Sequence, residues 1–96
     1  MAQKITYRFR LYIAGDAHNS ARAVTNLAAL CARHLAGRNQ VEIVDVFREP
    51  TRALAEGVFM TPMLLKLSPS PVRRIVGSLS QEQPLLQALD LDGQPL

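Results

Sequence analysis

The chain has 96 residues, a formal net charge of +3 and a hydrophobic fraction of 48%. That composition supports one folded domain over residues 1–96 and excludes wholesale disorder. No apolar run approaches a membrane span of about 18 residues, the opening MAQKITYRFRLYIAG lacks the apolar run of a signal peptide, and the single cysteine, Cys31, has no internal partner, so a cytoplasmic protein without disulfides is expected.

Ile5, Tyr7, Phe9, Leu11 and Ile13 alternate with Thr6, Arg8, Arg10 and Tyr12, which predicts a strand with one apolar face. Ala14-Gly15-Asp16 ends it. From Ser20 the period becomes helical, with Val24, Leu27, Ala28, Cys31 and Leu35 on one stripe. Asn19 or Ser20 is expected to cap the first turn, and Gly37 to end the helix. Val41 to Phe47 is apolar on both faces and reads as a parallel strand covered on two sides. Strand, helix and strand then form a right-handed βαβ unit. Pro50 opens a short helix that stops near Gly57.

Pro62 holds Thr61 extended. Met63 to Leu67 and Val72 to Val76 read as two strands of a hairpin. Between them Ser68-Pro69-Ser70-Pro71 rules out a continuous helix, because each proline lacks an N–H and clashes with the preceding turn. Gly77 stops the second strand. Ser80 is expected to cap a last helix carrying Leu85, Leu86 and Leu89, with Gln83 completing a capping box. The tail from Asp90 is expected to fray, with 91–96 outside the packed domain. The order β-α-β-α-β-β-α predicts an α/β, thioredoxin-like fold: a four-stranded mixed sheet flanked by helices. Thr61-Pro62 stands where that fold keeps a cis-proline.

A redox enzyme of that fold needs a thiolate at the start of its first helix. Gly15-Asp16-Ala17-His18-Asn19-Ser20 carries none, and Cys31 lies on the apolar stripe as a buried hydrophobe. His18 and His34 fall at opposite ends of the first helix, too far apart to share a metal. His34 complements the helix C-terminal dipole, and His18 reads as a loop residue. Asp45, within a strand, reads as a backbone-bonded acid rather than a general base. Tyr7, Phe9 and Phe47 are committed to strands and core, so a nucleic-acid stacking platform is lacking. No catalytic residue, cofactor site or metal site is expected.

The basic residues Arg22, Lys66, Arg73 and Arg74 remain. Arg73 and Arg74 point to opposite faces of a strand. Alone, these four read most simply as solvated charge. A binding surface is favoured by two further features: Val58 to Leu79 contains no acid, and the stiff proline loop lowers the cost of ordering on a partner.

LYIAGDAHNSARAV, VEIVDVFREP and above all TPMLLKLSPSPVRRIVGSLS resemble the KaiB family of bacterial clock proteins, from Leu11 to Leu91. The resemblance implies a non-enzymatic regulatory protein that binds the N-terminal ATPase ring of KaiC, a hexameric ATPase and autokinase, in circadian timing or related stress signalling. KaiA and a SasA-like sensor kinase are implied as further partners. The resemblance also implies a metamorphic chain. Its thioredoxin-like state binds KaiC, and its βαββααβ ground state forms tetramers. Carried onto this sequence, the partner-binding positions are Arg22, Lys66, Arg73 and Arg74. Pro62 is the cis-proline, and Pro69, Pro71, Gly77 and Ser78 belong to the segment that refolds. The family's Gly-Asp is Gly77-Ser78 here, Ser70 interrupts the proline run, and Pro84 enters the last helix. These departures lie in the refolding half, so the chain is expected to rest in the thioredoxin-like fold, as a monomer or small homo-oligomer. The rival reading is a signalling adaptor for a histidine kinase or response regulator.

Overall fold

The structure is a computed structural model that describes residues 5–91. Its elements are β1 (Tyr7–Ile13), α1 (His18–His34), β2 (Asn39–Asp45), α2 (Pro50–Glu56), β3 (Met63–Ser68), β4 (Arg73–Val76) and α3 (Glu82–Ala88). The sheet order is β2-β1-β3-β4. β1 runs parallel to β2 and antiparallel to β3, which pairs antiparallel with β4. This is the expected thioredoxin-like order, and the residues after Pro62 form a hairpin and a helix rather than the ground-state arrangement.

β1 is an inner strand, covered along one face and, at Tyr12, on the other. Tyr7, Phe9 and Leu11 point into the larger core, against Leu27, Leu30, Leu35, Leu64, Leu85 and Leu89 of α1, β3 and the α3 region. Tyr12 was expected on the polar side with Arg8 and Arg10. It is fully buried instead, because α2 covers that side and Tyr12 packs with Val44, Ala53, Val58 and Met63 in a smaller cluster. Ile5 precedes the strand and is exposed.

The α1 stripe is turned slightly from the expected one. Ala23, Leu27, Leu30, Cys31 and Leu35 are buried, Val24 is half-buried and Ala28 is exposed. The helix starts at His18, so His18 is a first-turn residue rather than a loop residue, and Ala17 holds the cap position with no side-chain cap. Ser20, expected as a cap, turns inward, where its Oγ accepts a hydrogen bond from the Ala14 N–H at 3.0 Å. That bond fixes the turn between β1 and α1.

β2 corrects another expectation. It is parallel to β1 but lies at the sheet edge, so Val41 and Ile43 stay exposed and only Val44 is fully buried. Phe47, expected in the core, is 73% exposed and lies over Gly15. Asp45 is backbone-bonded as expected, its Oδ1 accepting from the N–H groups of Gly15 at 3.2 Å and Phe47 at 2.9 Å.

α2 opens on Pro50 and ends at Gly57, whose φ of +75° is the left-handed cap that glycine adopts most readily. In α3 the Ser80–Gln83 capping box does not form; Gln81 holds the cap position without a side-chain bond. Pro84 then falls in the first turn, where its missing N–H has no helical acceptor to lose. Asp90 and Leu91, expected in a frayed tail, are held against the domain. Leu91 is 8% exposed and its N–H donates to Leu86 O at 2.7 Å. The rest of the expected tail, 92–96, lies outside the described residues.

Candidate partner-binding surface

β3 alternates between the two layers. Leu64 and Lys66 face α1 and α3, whereas Met63 and Leu65 lie on the α2 side. Lys66, expected on the surface, is 1% exposed. Its Nζ donates to Leu89 O at 3.4 Å and to Asp90 Oδ2 at 3.2 Å, and it stands 6.0 Å from the centre of the Tyr7 ring. A buried ammonium must be paired. The chain leaving α3 meets that requirement by returning a carbonyl and a carboxylate over the β-hairpin. Lys66 is therefore withdrawn from the surface set: in this fold it is an internal cation.

Arg73 is the cross-strand partner of Lys66 and shares its side of the sheet. It is exposed, and its Nε and Nη2 donate to Asp90 Oδ2 at 3.1 Å and Oδ1 at 3.3 Å. That is the planar fork by which arginine holds a carboxylate. Arg73 first, and Lys66 second, hold the Asp90 carboxyl below its ordinary pKa.

Arg74 points to the α2 side, as strand alternation requires. Its Nη2 donates to Glu56 Oε2 at 3.4 Å, and its Nη1 stands 3.8 Å from Met63 Sδ. Glu56 Oε1 also accepts from Arg10 Nη1 at 3.2 Å. Arg10 Nε donates to Glu42 Oε1 at 2.8 Å, which accepts from Arg52 Nη2 at 2.6 Å as well. A line of alternating charge, Arg52–Glu42–Arg10–Glu56–Arg74, thus crosses the sheet beside α2. Arg52, then Arg10, hold the Glu42 carboxyl below its usual range, and the Glu42 hydrogen bond raises the Arg10 guanidinium.

Arg22 is exposed on α1 and makes no hydrogen bond or ion pair with the described residues. One turn later Asn26 Nδ2 donates to Ser78 O at 2.8 Å, tying α1 to the segment after β4. In that segment Gly77 has φ +127° and its N–H donates to Pro62 O at 2.9 Å. The Thr61–Pro62, Ser68–Pro69 and Ser70–Pro71 peptide bonds are cis. The structure therefore joins Lys66 and Arg73 through Asp90, and places Arg22 and Arg74 on different layers.

Arg33 and His34, in the last turn of α1, both face Glu82 at the start of α3, with His34 Nε2 at 3.3 Å. Arg33, ahead of His34, holds the Glu82 carboxyl below its usual pKa. Sequence reasoning missed Asp90, Glu56, Arg10 and Glu42. Their partners are distant in sequence, and the only available signal was the presence of compensating acids outside the basic segment.

Redox chemistry gains no support from the geometry. The turn before α1 carries no thiol. Cys31 is buried at 4% exposure, and burial pushes its thiol pKa up, away from reactivity. Among the described residues no group of three or more His, Cys, Asp or Glu side chains is placed to hold a metal, and no helix is long and apolar enough to cross a membrane.

A KaiB domain model matches residues 10–91. The circadian clock oscillator protein KaiB of Prochlorococcus marinus (strain MIT 9312) is 38% identical over 91 residues, covering 95% of this chain and 87% of that protein. The circadian clock protein KaiB3 of Synechocystis sp. is 39% identical over 82 residues, covering 85% of this chain and 80% of its own. Among solved structures, the N-terminal domain of Synechococcus elongatus SasA superposes with a TM-score of 0.72 at 17% identity, covering 100% of this chain and 94% of that domain. Chloroplastic thioredoxin z gives 0.76 at 16% identity, covering 95% and 82%. At such identities these two structures speak for the fold alone.

Proposed function

The chain belongs to the KaiB family, and from that premise we propose that it is a non-enzymatic regulatory protein of the circadian-clock type that docks on the N-terminal ATPase ring of a KaiC-type hexamer. The observation that carries this reading is the exposure of Arg73 and Arg74 on an edge strand, within a segment from Gly57 to Gln81 that contains no acid. Exposed arginines on a short edge strand suit a charged partner surface, and the missing thiol leaves the fold without its usual chemistry. Arg22, exposed and without an ion pair among the described residues, is the third basic contact in this reading. The protein acts in the cytoplasm, as a monomer or small homo-oligomer in the thioredoxin-like state, where KaiA joins the complex and a SasA-like sensor kinase competes for the ring.

Titration of the protein into a purified KaiC-type hexamer with ATP or ADP, followed by light scattering, tests the reading. A saturable complex is expected. Its absence with the ring from the same organism would overturn the reading in favour of a sensor-kinase adaptor.

A further inference from the structure

We propose that the groove between α1 and β2 is a binding site for a small, uncharged, apolar molecule that carries one hydrogen-bond donor. The site is separate from the docking function proposed above and lies at the sheet edge opposite β4.

The groove follows from where α1 sits on the sheet. Phe9 and Leu11 of β1 are buried beneath it, but their neighbours across the parallel ladder, Val41 and Ile43, are 40% and 46% exposed. Neighbours across a ladder share a face of the sheet, so these two side chains form a floor beside the flank of α1. That flank is built of Val24, Ala28 and Ala32, spaced four residues apart, and both alanines are exposed. Methyl groups stand where longer side chains would reach across to β2. The space left is about 440 Å³, within the range of small-molecule sites, about 300–1,000 Å³.

The lining decides what fits. The Cys31 thiol is the one ionisable group in it, in a chain where 20% of residues are charged. Cys31 is 4% exposed, its thiol makes no hydrogen bond with a described residue, and burial pushes its pKa up, so it stays neutral. A charged ligand would lose its hydration here and find no counter-charge, so the occupant is uncharged. One polar group stands at the end of the groove. Asn39 Nδ2 donates to Leu35 O at 2.9 Å, leaving Oδ1 as an acceptor to which no described residue donates. A ligand N–H or O–H satisfies it. A protein partner fits less well. Past Ala28 and Ala32 the helix surface turns polar at Thr25 and Arg22, both exposed, so the apolar ground is narrow against the roughly 800 Å² that a stable interface buries on each partner.

Fluorescence titration of the full chain with N-phenylnaphthylamine, a neutral aromatic amine with one N–H, tests the site against the anionic dye anilinonaphthalene sulfonate. Saturable one-to-one binding of the neutral dye is expected, about tenfold or more tighter than the sulfonate despite the net charge of +3. Methyl NMR shifts on binding should centre on Val24, Ala28, Val41 and Ile43. Ala28→Phe fills the groove from an exposed position and is expected to weaken the neutral dye about tenfold or more, with a thermal melt to show that the variant folds. If it unfolds, Val41→Thr carries the test, with an expected loss of about threefold. No saturable binding, a sulfonate that binds as tightly, shifts centred on Ile75, Leu79 and Leu85 in the groove beside β4, or unchanged affinity in a folded Ala28→Phe would each overturn the site. Dye binding that falls as the chain dimerises would also overturn it, by giving the groove to a second copy.

Discussion

The two sides of the sheet are built differently. On one side α1 and α3 cover a continuous apolar layer around Phe9, Leu11, Leu27 and Leu64. The ion pairs there, Arg33–Glu82 and Arg73–Asp90, stand at its margin and fasten α3 to its neighbours. On the other side a short helix contributes Ala53 to a small cluster, and a line of arginines and glutamates crosses the rest of that face. Apolar burial is worth more per residue than exposed ion pairs. The α1/α3 side therefore carries the stability, and the α2 side keeps pairings that can be exchanged.

The largest expected effect tests this asymmetry directly. Leu27→Ala, at a site 1% exposed in the larger core, should cost about 2–5 kcal/mol. Val44→Ala, fully buried in the smaller cluster, removes two methyl groups and should cost about 1–3 kcal/mol. Urea unfolding of both variants checks the order, and a reversed order would break the comparison.

Next comes the buried cation. Lys66→Ala loses the packed stem and the bond to Leu89 O, and should cost about 1–3 kcal/mol. Lys66→Met keeps the stem, leaves Asp90 with Arg73, and should cost less than Lys66→Ala. Neither should change ring affinity beyond about twofold if Lys66 is internal. A large loss of affinity in a folded Lys66→Met would return this residue to the surface set.

The smallest expected effect is acid sensitivity. Glu42, Glu82 and Asp90 all have depressed carboxyl pKa values, each beside an arginine. Depressed carboxylates favour folding when ionised, so their contribution is full above the unfolded range of about 3.9–4.3 and is lost as pH falls through their lower folded values. The urea midpoint should therefore drop modestly between about pH 5 and pH 2, and salt should shrink the drop because these pairs are exposed. E42Q should remove only the α2-side share of it.

The periodicity of β1 and α1, Pro50 and Gly57 around α2, and the proline loop between two apolar runs were enough to read the strand and helix order. The faces were harder. Alternation assigns Lys66 to a strand but cannot show that Asp90, a distant residue beyond α3, returns to cover it. Val41 and Ile43 look like core because their apolar character is visible, whereas their place at the sheet edge follows from topology. Tyr12 looked polar by its neighbours until α2 covered it. The Arg10 links to Glu42 and Glu56 join residues far apart in sequence, and local pattern carries no trace of them. The exposure of Phe47 was equally hidden, since an apolar residue at the end of an apolar run reads as buried until the neighbouring layer is known.

The most direct measurement is amide hydrogen exchange on the chain alone and bound to the KaiC-type ring. The expected result is added protection over the loop from Gly57 to Thr61 and over Arg74 to Gly77, with little change at the C-terminal half of α1. Added protection confined to α1 and α3, with Gly57 to Thr61 unchanged, would contradict the division of labour between the two sides of the sheet.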